Sequence, residues 1–238
     1  RLAYVYLTLI GFFGRLLPRG LMLWFAVLIG NFYWAVMKRD REMVRRNLSR
    51  VLDSPSAVGP TVRRLYVRYA KYLVDYTRMG LLEEKHLRRL VRGFEGKEHI
   101  DGAIARGKGT LILTAHLGNW EMGGIFLSLM GYPLTVITAP DVEERLHNYR
   151  VRLRHEQRIK VVTLDDSLAS SLAVLKALRD NELVALLGDR DLFGKGIPVD
   201  FFGHRVFFPV GPALLGDARE RQDRLALPVL LRRPFVER

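Results

Sequence analysis

Residues 107–124 read GKGTLILTAHLGNWEMGG, and the fold follows from how that stretch divides. Thr110 to Ala115 is a short, continuous apolar run of the kind that forms a strand buried on both faces. Gly118 and Asn119 then supply a tight turn and a helix cap ahead of Trp120 to Met130, which reads as a helix. The same texture recurs downstream. Leu134 to Thr138, Lys160 to Leu164 and Leu183 to Leu187 read as strands, with Val142 to Gln157 and Leu168 to Arg179 as helices between them and Leu225 to Leu231 as a final strand candidate. Such alternation predicts an α/β fold from about residue 93 onward: a mostly parallel central sheet flanked by helices on both faces.

Toward the N-terminus the pattern changes. Leu2 to Phe13 is apolar, Arg15, Pro18, Arg19 and Gly20 break the run, and Leu21 to Val36 is apolar again apart from Gly30 and Asn31. A spanning helix needs about 20 apolar residues, so the second run is borderline and the first too short. The favoured reading is one or two helices in the bilayer interface or a single N-terminal anchor, with Trp24, Tyr33 and Trp34 at headgroup depth; the alternative is a buried core helix pair. From Arg41 to Arg92 the pattern is helical and basic, with a stop at Asp53-Ser54-Pro55 and a boundary at Met79-Gly80. Apolar and aromatic residues at 62, 65, 66, 69, 72, 73 and 76 mark one helical face. Two regions are therefore expected: a membrane-associating helical region, 1–92, and an α/β region carrying the chemistry, 93–238.

Charge and composition narrow the partners. The chain has 238 residues, 49% hydrophobic and 26% charged, so it has the apolar content to fold. It contains no Cys, which removes disulfide scaffolds, thiol nucleophiles and thiolate metal sites. The net charge of +13 divides unevenly: residues 1–37 carry +3, residues 38–92 carry +9 and residues 93–238 only +1. Basicity concentrated beside the most apolar segment fits an anionic membrane surface, where each juxtamembrane Lys or Arg adds on the order of 1 kcal/mol. A basic nucleic-acid-binding protein is the class-level rival, motivated by Arg interleaved with Tyr between 62 and 78. It leaves the apolar opening and the neutral remainder unexplained, so no nucleic-acid partner is expected.

The strongest chemical signal lies at the end of the first strand. His116 sits where ligands gather in open α/β sheets, and Glu121 falls in the first helical turn, where the helix dipole favours a carboxylate. A Glu121 carboxylate folded back toward His116 would orient the imidazole as a general base. The competing reading is a core His at a strand end with Glu121 as a cap partner. Neither side chain is expected to fill the core, so replacing either should spare the fold. Other chemistries fit less well. No Ser occupies a G-x-S-x-G elbow, no P-loop run exists, Gly107 and Gly109 precede rather than follow the strand, and no H-E-x-x-H is present, so no metal is expected.

The string HLGNWE, His116 to Glu121, resembles the H-x-x-x-x-D/E motif of glycerolipid acyltransferases, specifically the bacterial lysophospholipid and lipid A biosynthesis acyltransferase family. A second block agrees: Asp189-Arg190-Asp191, then VDFFG from Val199 to Gly203, then Pro209, Gly211 and Pro212. The apolar opening and Arg45 to Asn47 also resemble that family's N-terminal portion, so the likeness covers nearly the whole chain. The DRD and VDFFG strings lean toward its phosphatidylinositol mannoside acyltransferase branch.

The resemblance implies transfer of a fatty acyl group from acyl-CoA or acyl-ACP, used as co-substrate with no other cofactor, to a hydroxyl of a glycolipid or lysophospholipid acceptor at the cytoplasmic face of the bacterial inner membrane. Acyl carrier protein is then a candidate partner. His116 and Glu121 are the catalytic candidates; Asn119, Arg150, Asp189, Arg190 and Asp191 are substrate-binding candidates, with local salt bridges the alternative for the charged ones. A catalytically inactive membrane scaffold of the same fold is the remaining alternative. Gly216 to Arg224 is more polar than the family pattern, and the chain is expected to be a fragment or shortened version lacking the usual C-terminal helices.

Overall fold

A computed structural model describes residues 2–81, 85, 91, 93–165, 167–191 and 194–220. The chain divides into two compact units, one comprising Arg1–Leu81 with Phe202–His204 and the other Leu82–Phe201 with Arg205–Arg238.

The first unit is helical: α1 (Leu2–Leu16), α2 (Arg19–Val36), α3 (Lys38–Ser49) and α4 (Pro55–Thr77), closed by a 3-10 turn at Met79–Leu81. Pro18 holds an extended ψ of 142° and so separates α1 from α2, and Pro55 opens α4 at a position where its missing N–H costs nothing. The core packs Met22 and Ala26 of α2 against Ala70 and Val74 of α4, with Ile10, Leu17 and Leu23 at its edge. Gly30 lets the helices touch backbone to backbone, since a Cβ there would lie 2.7 Å from the Val67 Cα. Arg78 donates to the carbonyls of Gly14 and Leu17, satisfying the open end of α1, and Arg19 pairs with Asp75 at 2.8 Å. Outward residues of the apolar segment stay uncovered within this unit: Trp24 is 56% exposed and Phe32 65%. α2 is long and apolar enough to cross a membrane. The face expected on α4 is shifted. Leu65 and Tyr69 are exposed, and the buried positions are Val58, Val62, Ala70, Val74, Tyr76 and Thr77.

The second unit is the α/β fold expected. In chain order it runs α5 (Lys97–Ala105), β1 (Thr110–Thr114), α6 (Trp120–Leu129), β2 (Leu134–Thr138), α7 (Glu144–Glu156), β3 (Lys160–Thr163), α8 (Leu168–Arg179) and β4 (Leu183–Leu187). The four strands form one sheet in the order β1-β4-β2-β3, every pair parallel. β4 is inserted between β1 and β2, in register Thr110↔Leu183 through Thr114↔Leu187. Its residues Leu183 and Val184 are fully buried, as a central parallel strand requires. One core cluster joins Leu111, Val184 and Leu186 of the sheet to Val174, Ala177 and Leu178 of α8.

A separate hairpin, β5 (Ile197–Phe201) and β6 (His204–Phe208), follows, then α9 (Gly211–Glu220). Phe202 and Gly203 both take positive φ, 54° and 69°, the requirement of a two-residue type I′ turn. The strand candidate at Leu225 to Leu231 and the end of the polar stretch, 221–224, lie outside the described residues.

Gly109 sets the entry of β1. Its φ is +66°, its N–H donates to Asn181 Oδ1 at 2.8 Å, and a Cβ would lie 2.2 Å from the Leu178 carbonyl oxygen. Gly109→Ala is therefore expected to lower the unfolding free energy by at least about 2 kcal/mol, combining left-handed strain with a backbone clash. Urea denaturation of the full chain measures it, and a change below about 0.5 kcal/mol contradicts the described approach.

Candidate functional site

β1 and β4 lie side by side with their carboxyl ends aligned, and the Gly188 N–H extends the ladder by donating to the Thr114 carbonyl at 2.8 Å. His116 and Asp189 each stand two residues beyond the last paired positions, Thr114 and Leu187. The parallel register therefore brings them face to face. One oxygen of the Asp189 carboxylate lies 2.8 Å from His116 Nδ1, and the other accepts the His116 backbone N–H at 3.1 Å. A bidentate grip on ring and backbone fixes both the position of the residue and the rotation of its imidazole. Trp120 packs edge-to-face on that ring, centroids 4.8 Å apart, and limits the remaining freedom.

The proton follows from the charge. Partial burial works to raise the pKa of Asp189, but the hydrogen bonds from the His116 ring and backbone outweigh it and hold the carboxyl below its ordinary value. Asp189 is then an ionised acceptor at neutral pH, so Nδ1 must carry the donating hydrogen. In the neutral ring Nε2 then carries the lone pair, with no hydrogen-bond partner among the described residues and on a side chain about one third exposed. An imidazole so held has the geometry that general-base chemistry requires.

Glu121 does not fill the orienting place expected of it. The residue is 8% exposed, and its carboxylate receives both Nε (3.1 Å) and a terminal nitrogen (2.5 Å) of Arg154, a paired fork-to-fork contact between α6 and α7. The reason is geometric. Glu121 is the second residue of α6, and its side chain is directed into the helix–helix contact, while His116 lies in the loop before the helix. Arg154 was not singled out in the sequence. It lies one turn after Arg150 on a helix dense in charge, beside the inward face that Leu146, Tyr149 and Leu153 mark.

The other candidates divide between held and free. Asn119 caps α6, its Oδ1 accepting from the Met122 N–H at 3.2 Å. Arg150 donates to Asp141 at 2.7 Å, and His147, on the same helix, bonds the Thr163 hydroxyl at 3.0 Å. Asp191 accepts the Gly196 N–H at 2.8 Å, closing the loop that leads into the hairpin. Arg190 is exposed, with no hydrogen bond or ion pair among the described residues. Among those residues no three His, Asp or Glu side chains converge as a metal site requires.

The chain matches the model of bacterial lipid A biosynthesis acyltransferases over residues 1–233. The phosphatidylinositol mannoside acyltransferase of Mycobacterium tuberculosis strain H37Rv is 33% identical over 178 residues, 73% of this chain and 56% of that protein. That of Mycolicibacterium smegmatis is 31% identical over 185 residues, 76% and 60% respectively. The chain thus spans somewhat over half the length of these relatives.

The Glu121–Arg154 pair carries a stability consequence opposite to the reading that Glu121 is dispensable for folding. Removing one partner strands a buried charge, so Glu121→Met and Arg154→Met should each cost about 3–5 kcal/mol, whereas combining the two should recover most of the loss. A double-variant cycle by urea unfolding tests it; additive losses contradict the pairing.

Proposed function

The chain belongs to the bacterial lipid A biosynthesis acyltransferase family, and on that premise we propose that it is a membrane-associated O-acyltransferase in which His116 is the general base and Asp189 its orienter. The observation that carries the reading is the 2.8 Å contact between His116 Nδ1 and Asp189 at the carboxyl ends of adjacent parallel strands. An acceptor hydroxyl near neutral pH is a weak nucleophile. As its oxygen attacks the thioester carbonyl, His116 Nε2 takes the hydroxyl proton, and the imidazolium so formed is stabilised by ionised Asp189. The tetrahedral intermediate collapses, the C–S bond breaks, and the imidazolium returns its proton to the departing thiolate. No covalent enzyme intermediate is needed, because the thioester already has a good leaving group.

The N–H groups that open α6, other than that of Met122 which Asn119 holds, are suited to the developing oxyanion, the positive end of a helix facing a negative oxygen. Glu121 acts at one remove. Its pair with Arg154 fixes the start of α6, and with it the loop that carries His116. Arg190, exposed and without an ion pair among the described residues, is a cation suited to a phosphate or sugar of a substrate.

The donor is acyl-CoA or acyl-ACP. The acceptor is a glycolipid, and the names of the mycobacterial relatives favour a phosphatidylinositol mannoside. The apolar α2 and the charge of residues 38–92 support attachment to the cytoplasmic face of the inner membrane.

The test is turnover with an acyl thioester and a panel of glycolipid and lysolipid acceptors. His116→Ala should abolish transfer, and Asp189→Asn should lower kcat by about 10²–10⁴-fold with little change in KM, since the base loses its tautomer rather than its substrate. Near-normal turnover by the His116 variant contradicts the mechanism. No turnover by the unaltered chain favours an inactive scaffold.

A further inference from the structure

We propose that Arg41 and Arg63 form a docking site for the phosphate of an anionic phospholipid at the bilayer surface, a site built entirely within the N-terminal helical unit. The inference rests on the membrane-associated reading and deepens it.

Two cations from different helices converge on one aromatic ring. Arg41 of α3 and Arg63 of α4 place their guanidinium carbons 5.4 Å and 5.5 Å from the centroid of Trp34 in α2. Neither has an ion pair with a carboxylate among the described residues. Each cation beside the ring is thus left without a carboxylate to neutralise it, and an anion at the headgroup level supplies the attraction that the protein does not.

Both guanidiniums are also held. Arg41 donates one terminal nitrogen to the carbonyls of Trp34, at 2.7 Å, and Ala35, at 3.3 Å, capping the negative end of α2. Arg63 donates its Nε to Asn31 Oδ1 at 2.6 Å, and Asn31 is itself oriented by donating to the Val27 carbonyl at 2.7 Å. The close approach of Gly30 to Val67 puts Arg63, one turn earlier on α4, alongside Asn31. The terminal nitrogens of Arg63 have no protein partner among the described residues. They form an oriented donor pair, the geometry that matches a phosphate.

The occupant is a lipid rather than a soluble phosphate because of what adjoins the cations. On the same α2, Trp24, Leu28 and Phe32 are 56%, 49% and 65% exposed. An anion held at the end of that helix therefore has apolar surface on the same rod, the order of groups in a phospholipid from headgroup to chain.

The experiment is co-sedimentation of the full chain with vesicles of phosphatidylcholine alone and of phosphatidylcholine mixed with phosphatidylglycerol, which is not an acceptor in the proposed reaction. Arg63→Lys keeps the charge but loses the Nε contact and the planar fork; Asn31→Ala keeps both charges and frees Arg63. Each variant should bind the anionic vesicles about fivefold more weakly than the unaltered chain, the effect of one lost hydrogen-bonding contact worth about 1 kcal/mol, with unchanged binding to the neutral ones. Far-UV circular dichroism and the melting temperature verify folding, and Asn31→Ala, a truncation to a good helix former at a half-buried site, keeps the test open if Arg63→Lys fails to fold. If the unaltered chain prefers anionic vesicles and both variants match it, the site is overturned while the membrane reading stands. If the unaltered chain ignores both vesicles, the membrane reading fails and the site with it. Release from anionic vesicles by soluble glycerol phosphate would assign the cations to a free phosphate and overturn the lipid as occupant.

Discussion

The pairing of β1 with β4 is the constraint on which the site depends. The segments before His116 and Asp189 are separated by three helices and two strands, and nothing local relates them. Inserting β4 between β1 and β2 makes them neighbours, and a parallel register leaves both carboxyl ends at one edge. Burial enforces the insertion, since Leu183 and Val184 have no surface left. The hydrogen bond between imidazole and carboxylate follows from the hydrophobic identity of strands that carry no chemistry themselves.

That dependence explains what could be read in advance. Leu134–Thr138, Leu168–Arg179 and Leu183–Leu187 fall where the apolar runs placed them, because buried parallel strands and the helices covering them leave unmistakable patterns. The hairpin at 197–208 left no such trace. Pro198 and Asp200 interrupt it, its β5 residues are all exposed, and its cohesion comes from a turn of two positive φ angles rather than a buried face. On α4 the expected stripe of Leu65 and Tyr69 yielded to smaller residues. Contact with Gly30 of α2 selects for close backbone approach over side-chain size.

The partner of His116 was legible only in part. His116 stood out from its position at a strand end, and Asp189 from its motif, yet their bond needed the strand order, which periodicity does not encode. Glu121 was the natural local choice at five residues' distance. The helix start at Trp120 turns it inward, toward Arg154 on α7, and no pattern along the chain links positions 33 residues apart. The two carboxylates thus divide the labour: Asp189 holds the His116 ring, and Glu121 secures the helix beside it.

The central claim is a tautomer. With Nδ1 donating to Asp189, neutral His116 must keep its proton on Nδ1 and its lone pair on Nε2. Long-range ¹⁵N–¹H correlation of the imidazole rings reads this directly, and the His116 signal among the six histidines is assigned by its loss in His116→Ala. At a pH where the ring is neutral, the account predicts a protonated Nδ1 and an unprotonated Nε2, with that preference disappearing in Asp189→Ala. A His116 found with its proton on Nε2 would contradict it.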